Sequence, residues 1–142
     1  MSAVDLVIKG AQLPDGKTAD ICIQGGSIID LTASYKGESV TTIDAKGCLV
    51  LPGLVDLHTH LREPGREDAE TVLSGSKAGA KGGFTALSAM ANTSPVADTA
   101  GVVEQVYRLG QEAGLLDVFP IGAVRKGSKG RHFLKLARWQ IQ

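Results

Sequence analysis

This 142-residue chain has no long apolar run: nothing in it approaches the roughly 20 consecutive apolar residues that a membrane-spanning helix needs. Its start, Met1-Ser2-Ala3-Val4-Asp5, lacks the basic residues and extended apolar core of a secretion signal. These absences argue against a helical membrane protein and predict a cytoplasmic one. Cysteine is scarce. Cys22 and Cys48 are too few and too scattered for a disulfide framework or a Cys-type zinc site, so free, mostly buried thiols are expected. A phosphate loop is missing as well: no Gly-x-x-x-x-Gly-Lys-Ser/Thr occurs, and the glycines at 75, 79, 82 and 83 read as helix-packing positions.

What is present suits a globular domain with a sizeable core, with 43% hydrophobic and 21% charged residues. The net charge of zero conceals an asymmetry. All 15 acids lie between Asp5 and Asp117, and residues 1–124 hold nine Lys and Arg, a net of −6. The last eighteen residues carry Arg125, Lys126, Lys129, Arg131, Lys135 and Arg138 with no acid, a net of +6. A basic tail on an acidic body raises the question of nucleic acid or an anionic membrane surface. Only Phe133 and Trp139 interleave those basic residues, and the body carries no nucleic-acid motif, so neither partner is expected. A non-enzymatic protein that binds through this tail is the competing class. No feature assigns an oligomeric state.

From Asp5 to Val50, short apolar stretches alternate with turn residues. Leu6-Val7-Ile8, Ile21-Cys22-Ile23, Ser27-Ile28-Ile29 and Thr41-Thr42-Ile43 read as strands, divided by Pro14-Asp15-Gly16, Gly25-Gly26 and Lys36-Gly37. This is a small β unit over residues 1–52, with no convergent polar cluster and hence a scaffold role. Further on, Glu67-Asp68-Ala69-Glu70 supplies acids at a helix N-terminus. Val72, Leu73, Ala78 and Ala80 continue that helix, and Gly82-Gly83 ends it. Phe84 to Met90 predicts a strand, Ala97 to Ala113 a helix stopped by Gly114, and Asp117 to Val124 another strand. Strand, helix, strand, helix, strand implies an α/β fold with a parallel sheet and right-handed crossovers.

The chemistry concentrates in Leu54-Val55-Asp56-Leu57-His58-Thr59-His60-Leu61-Arg62-Glu63-Pro64-Gly65. On a strand, alternate side chains share a face, so His58 and His60 point the same way and Arg62 projects from that side just beyond the end. Two imidazoles at this spacing present nitrogens to a Zn²⁺-like ion, and an arginine two residues on can hold a planar carboxylate beside it. Hydrolysis of an acidic substrate is the chemistry this suggests. The plainer alternative is two polar side chains at a strand end. Likewise Asn92, in Met90-Ala91-Asn92-Thr93-Ser94-Pro95, is on its own a turn former.

The run Leu49-Val50-Leu51-Pro52-Gly53-Leu54-Val55-Asp56-Leu57-His58-Thr59-His60 resembles the signature of the amidohydrolase superfamily, and the extension Leu61-Arg62-Glu63-Pro64-Gly65-Arg66 is similar to the dihydroorotase family of the class with an N-terminal β extension. The resemblance covers residues 3 to about 124. It implies a (β/α)₈ barrel, with Zn²⁺ held in part by His58 and His60. Arg62 and the Asn92 amide would then grip the carboxylate of dihydroorotate or N-carbamoyl-L-aspartate in pyrimidine synthesis. Glu63-Pro64-Gly65 would shape the loop. Ala91 stands where family members often have proline. Allantoinase-like and hydantoinase-like proteins, which lack the arginine or the whole Arg-Glu-Pro-Gly run, are the alternatives within the enzyme class.

A (β/α)₈ barrel takes roughly 250 residues, and only 92 follow Val50, enough for three of its strands over residues 53–124. The family's bridging lysine or aspartate, its two later histidines and its proton-shuttling aspartate would lie on further strands, and His132 matches none of them. Two ligands fall short of the three or more of a catalytic zinc site, so weak metal binding and an inactive fragment are expected. An open three-stranded sheet should also expose apolar surface. Residues 125–142 read as a divergent basic tail of frameshift origin. Codons for Lys135 to Gln142 can be chosen so that the adjacent frame spells Glu-Ile-Gly-Gln-Met-Ala-Asn-Ser, as the family would have there, and resequencing the gene tests this.

Overall fold

Period-two alternation in the first fifty residues builds a four-stranded sheet from β1 (Val4–Gln12), β2 (Thr18–Gln24), β3 (Ser27–Thr32) and β4 (Ser39–Asp44), in a computed structural model that describes residues 3–124. The strand order is β3-β2-β1-β4. β1 and β2 run antiparallel, with Val7 opposite Cys22, and β2 and β3 are likewise antiparallel, with Ile23 opposite Ile28. The β2–β3 turn is Gly25-Gly26, whose φ values of 55° and 75° are those a tight primed hairpin requires and a side chain resists. β4 returns parallel to β1, placing Leu6 beside Thr41. No local signal in the sequence announces that pairing.

Alternation sends Val7 and Cys22 to a cluster with Val4 and Tyr35, while Ile21 packs with Ala11 and Ala45 against Ile8, Leu13, Ile23 and Val50. Burial pushes the Cys22 thiol pKa up; Cys48, by contrast with the sequence expectation, is exposed. Asp20 is the buried carboxylate of this unit, 7% exposed. It accepts from the Tyr35 amide at 2.9 Å and from the Gly10 amide at 2.9 Å, where β1 bulges between Ile8 and Ala11. Those two amides, Tyr35 first, hold its carboxyl below the usual range.

The chain divides into two compact units at Pro52/Gly53. The second has β5 (Leu54–Thr59), α1 (Val72–Lys81), β6 (Phe84–Ala89), α2 (Ala100–Ala113) and β7 (Asp117–Pro120), with sheet order β5-β6-β7, parallel throughout. Its core joins Leu61, Val72, Leu87, Ala89, Val106 and Val118, with Phe84, Leu109 and Leu116 packed against them. Boundaries shift from the pattern in the sequence. β6 ends at Ala89 rather than Met90, α2 starts at Ala100 rather than Ala97, and β7 ends at Pro120 rather than Val124, although the Ile121 amide still donates to the Ala89 carbonyl at 2.8 Å. The acids at 67–70 precede α1 instead of occupying its first turn, which Thr71 caps through a reciprocal pair with Ser74. The tail expectations for residues 125–142 lie outside the described residues. No helix of the described residues is long and apolar enough to cross a membrane.

β5 and β7 are the edges of this sheet, and β5 leaves Leu54, Val55 and Leu57 exposed, the last at 73%. Apolar side chains on an edge strand recruit other chains. Sedimentation velocity should show concentration-dependent self-association, with strong binding of an apolar-surface dye; a dye-silent monomer at all concentrations would contradict this. Asp20 gives a second expectation. A carboxyl with a lowered folded pKa contributes stability above its unfolded pKa of about 3.9 and loses it as pH falls through the folded value. Asp20→Ala should therefore cost about 2 kcal/mol at neutral pH, two amides losing an ionised acceptor. In urea unfolding that gap should narrow near pH 3; an equal gap at both pH values would refute the assignment.

Candidate metal and anion site

The site begins where the β5–β6 ladder becomes irregular, between Asp56 and Thr59. Within that interval the His58 amide donates to Asp56 Oδ1 at 2.9 Å. That amide is the main reason the Asp56 carboxyl sits below its ordinary range; the Thr59 hydroxyl helps from nearby without itself reaching hydrogen-bond geometry. Asp56 is thus occupied with its own strand. This brace was not singled out from the sequence, although an aspartate two residues before a histidine is a visible signal for it.

β5 ends at Thr59, so His60 stands one residue past the strand rather than on it. The ladder still reaches that point, because the Met90 amide donates to the Thr59 carbonyl at 2.9 Å. The His58 and His60 rings lie edge to face, their centroids 5.1 Å apart. His60 Nδ1 meets Asn92 Oδ1 at 2.9 Å across 32 residues of sequence. Leu61 turns inward, 3% exposed in the core. Arg62 then adopts φ +58° and stands exposed, its side chain making no hydrogen bond or ion pair among the described residues. A non-glycine residue in the left-handed region costs about 1–2 kcal/mol, which the surrounding loop must offset.

That loop is heavily tied. The Glu63 amide donates to the Leu61 carbonyl at 2.7 Å and the Arg66 amide to the Arg62 carbonyl at 2.9 Å. Glu63 Oε2 accepts from the Val72 amide at 2.7 Å, satisfying a free N–H of the first turn of α1. Glu67 accepts from the Gly65 amide at 2.8 Å, and Arg66 pairs with Asp68. The Asn92 loop docks directly on it, the Ser94 amide donating to the Pro64 carbonyl at 2.9 Å. Gly65, at φ +103°, has no room for a Cβ, which would collide with the Ser94 carbonyl. Glu63 is a second residue whose anchoring role the sequence conceals, since its partner Val72 is nine residues away.

The donor set suits part of a metal site. His58 and His60 offer two imidazole nitrogens side by side, and no group of three or more His, Cys, Asp or Glu that could hold an ion occurs among the described residues. Structural and catalytic zinc sites use at least three protein ligands. A guanidinium such as that of Arg62 and an amide NH₂ such as that of Asn92 are donor types suited to an anion, but the hydrogen bond brings Asn92 to His60, and none joins it to Arg62 among the described residues.

A family model described as dihydro-orotase-like matches residues 47–140, past Val124 into the tail. The chain is 56% identical over 136 residues to a dihydroorotase of Leifsonia xyli, covering 96% of this chain and 31% of that protein. It is 55% identical over 130 residues to a dihydroorotase of Streptomyces coelicolor, covering 92% and 30%. Among solved structures, an L-hydantoinase (dihydropyrimidinase) from Arthrobacter aurescens is similar, with TM-score 0.75 and 28% identity over 87% of this chain and 29% of that one. The chain therefore spans about 30% of the length of these relatives. Its α/β fold with a β-rich first part resembles the hydantoinase structure, and by the family match it belongs to the dihydroorotase-like family.

Proposed function

We propose that this chain carries the opening part of a dihydroorotase-like, metal-dependent cyclic amide hydrolase. It would interconvert N-carbamoyl-L-aspartate and dihydroorotate in cytoplasmic pyrimidine biosynthesis. Residues 1–52 are its β scaffold and residues 53–124 the first three strands of a (β/α)₈ barrel, in which chemistry gathers on the loops after the strands.

The observation that carries this reading is the 2.9 Å contact between His60 and Asn92. It joins a candidate metal ligand, just past β5, to a candidate carboxylate-binding amide in the loop after β6. His58 and His60 would hold two positions on a Zn²⁺ ion, which when bound supplies Lewis-acid polarisation of the ring amide carbonyl and of water. Arg62 and Asn92 orient the ring by its acid group, the guanidinium offering a forked pair of donors. A substrate lacking the acid leaves those donors without an acceptor, the basis for preferring dihydroorotate over a hydantoin. The name dihydroorotase on relatives 56% and 55% identical supports the same choice.

With two candidate ligands among the described residues, zinc should bind weakly and this stretch of chain should not turn over substrate by itself. Competition with a chromophoric chelator should give a zinc dissociation constant in the micromolar range or weaker, weakened at least tenfold in His58→Ala and in His60→Ala. No turnover of dihydroorotate above background is expected. Zinc binding indifferent to both substitutions would overturn the metal assignment, and hydrolysis by the unsupplemented chain would overturn the incompleteness.

A further inference from the structure

We propose that Asn92 is a positioning residue for His60. Its Oδ1 locks the neutral imidazole as the Nδ1–H tautomer, so that Nε2 keeps its lone pair for a divalent cation while Nδ2 stays free for the acid group of a substrate. This deepens the reading above and rests on it for the identity of the cation and the acid, but the tautomer itself is a property of the chain alone.

A carbonyl oxygen can only accept, so at 2.9 Å the ring nitrogen facing it donates. In a neutral imidazole the proton on Nδ1 leaves a lone pair on Nε2. Free imidazole side chains favour the opposite form, with the proton on Nε2, so the bond reverses an intrinsic preference. His58 provides the contrast within the same site: its ring makes no hydrogen bond among the described residues, although it lies 5.1 Å from the His60 ring. Metal-bound histidines commonly donate their second nitrogen to an oxygen of this kind, which fixes both tautomer and ring orientation.

The Asn92 amide can serve this way because its own loop is held. Thr93 Oγ1 donates to the Pro95 carbonyl at 2.7 Å, the Ser94 amide to the Pro64 carbonyl at 2.9 Å, and the Ala97 amide to the Ala91 carbonyl at 3.0 Å. With Oδ1 engaged, the Asn92 NH₂ keeps two donors and no partner among the described residues. An anion accepting from that NH₂ polarises the amide and makes its oxygen a better acceptor for His60, since hydrogen bonds in a chain strengthen one another. Binding of the acid and alignment of the metal ligand are then coupled through one side chain.

The test is long-range ¹H–¹⁵N correlation of the imidazoles in the metal-free 142-residue chain at about pH 8.5, well above the ordinary imidazole pKa of about 6.5. His132→Gln is used to simplify assignment of the three histidines. Wild-type His60 should show the Nδ1–H pattern. Asn92→Ala should return it to the Nε2–H form, and Asn92→Asp, which keeps an acceptor oxygen, should retain Nδ1–H. Nε2–H in the wild type, or an Nδ1–H pattern that survives Asn92→Ala, would overturn the proposal. Should a variant not fold, the wild-type spectrum still decides. Adding zinc to the same sample separates the two claims: ring ¹⁵N shifts of His58 and His60 that do not move sink the metal reading while leaving the tautomer result standing.

Discussion

The hydrogen bond between His60 and Asn92 is the constraint on which the arrangement of the site depends. Each residue belongs to a separate βα connection, and neither loop alone would present its side chain at a defined point. Two features bring the loops together. The parallel pairing of β5 with β6 sets their strand ends side by side, and the Ser94–Pro64 backbone bond closes the remaining gap. Gly65 makes that approach sterically feasible, because any larger residue would meet the Ser94 carbonyl. Both loops also contain a cis X-Pro bond, at Glu63–Pro64 and Ser94–Pro95.

From that junction the roles of the neighbours follow. Leu61 points into the core, with the half-buried His60 on one side of it and the exposed Arg62 on the other, so one buried leucine anchors the turn between them. Arg62 takes its left-handed backbone because Glu63, anchored on the first free amide of α1, and Arg66, bonded to the Arg62 carbonyl, hold the turn from both sides. Strain of this sort is retained where surrounding contacts over-determine it, and here those contacts hold Arg62, whose side chain makes no hydrogen bond or ion pair among the described residues. The placement agrees with a general property of parallel α/β folds, in which functional side chains sit beyond the carboxyl ends of strands.

Much of this was legible because it is local. Period-two alternation, Gly25-Gly26 and Gly82-Gly83 marked the strands and their turns, and the β-helix alternation implied the parallel three-stranded sheet. His58, His60 and Arg62 stand out because their residue types and spacing carry chemical meaning, whereas Asn92, on its own a turn former, stands out only through the family resemblance. What escaped was non-local or decided by backbone detail. The parallel pairing of β4 with β1, the Glu63 contact to Val72 and the bond from Asn92 to His60 join residues that sequence patterns treat separately. The acids at 67–70 read as a helix start, yet Glu67 accepts from the Gly65 amide and Asp68 pairs with Arg66, and a plain Thr71–Ser74 cap starts α1 instead.

A double-mutant cycle between His60 and Asn92 probes the junction most directly. Urea unfolding of the wild type, His60→Ala, Asn92→Ala and the double variant yields the coupling energy of the pair, free of the losses each substitution causes alone. An interaction of about 0.5–1.5 kcal/mol is predicted, the net worth of one hydrogen bond. Simple additivity of the two single substitutions would show that the loops are not joined there and would contradict the account.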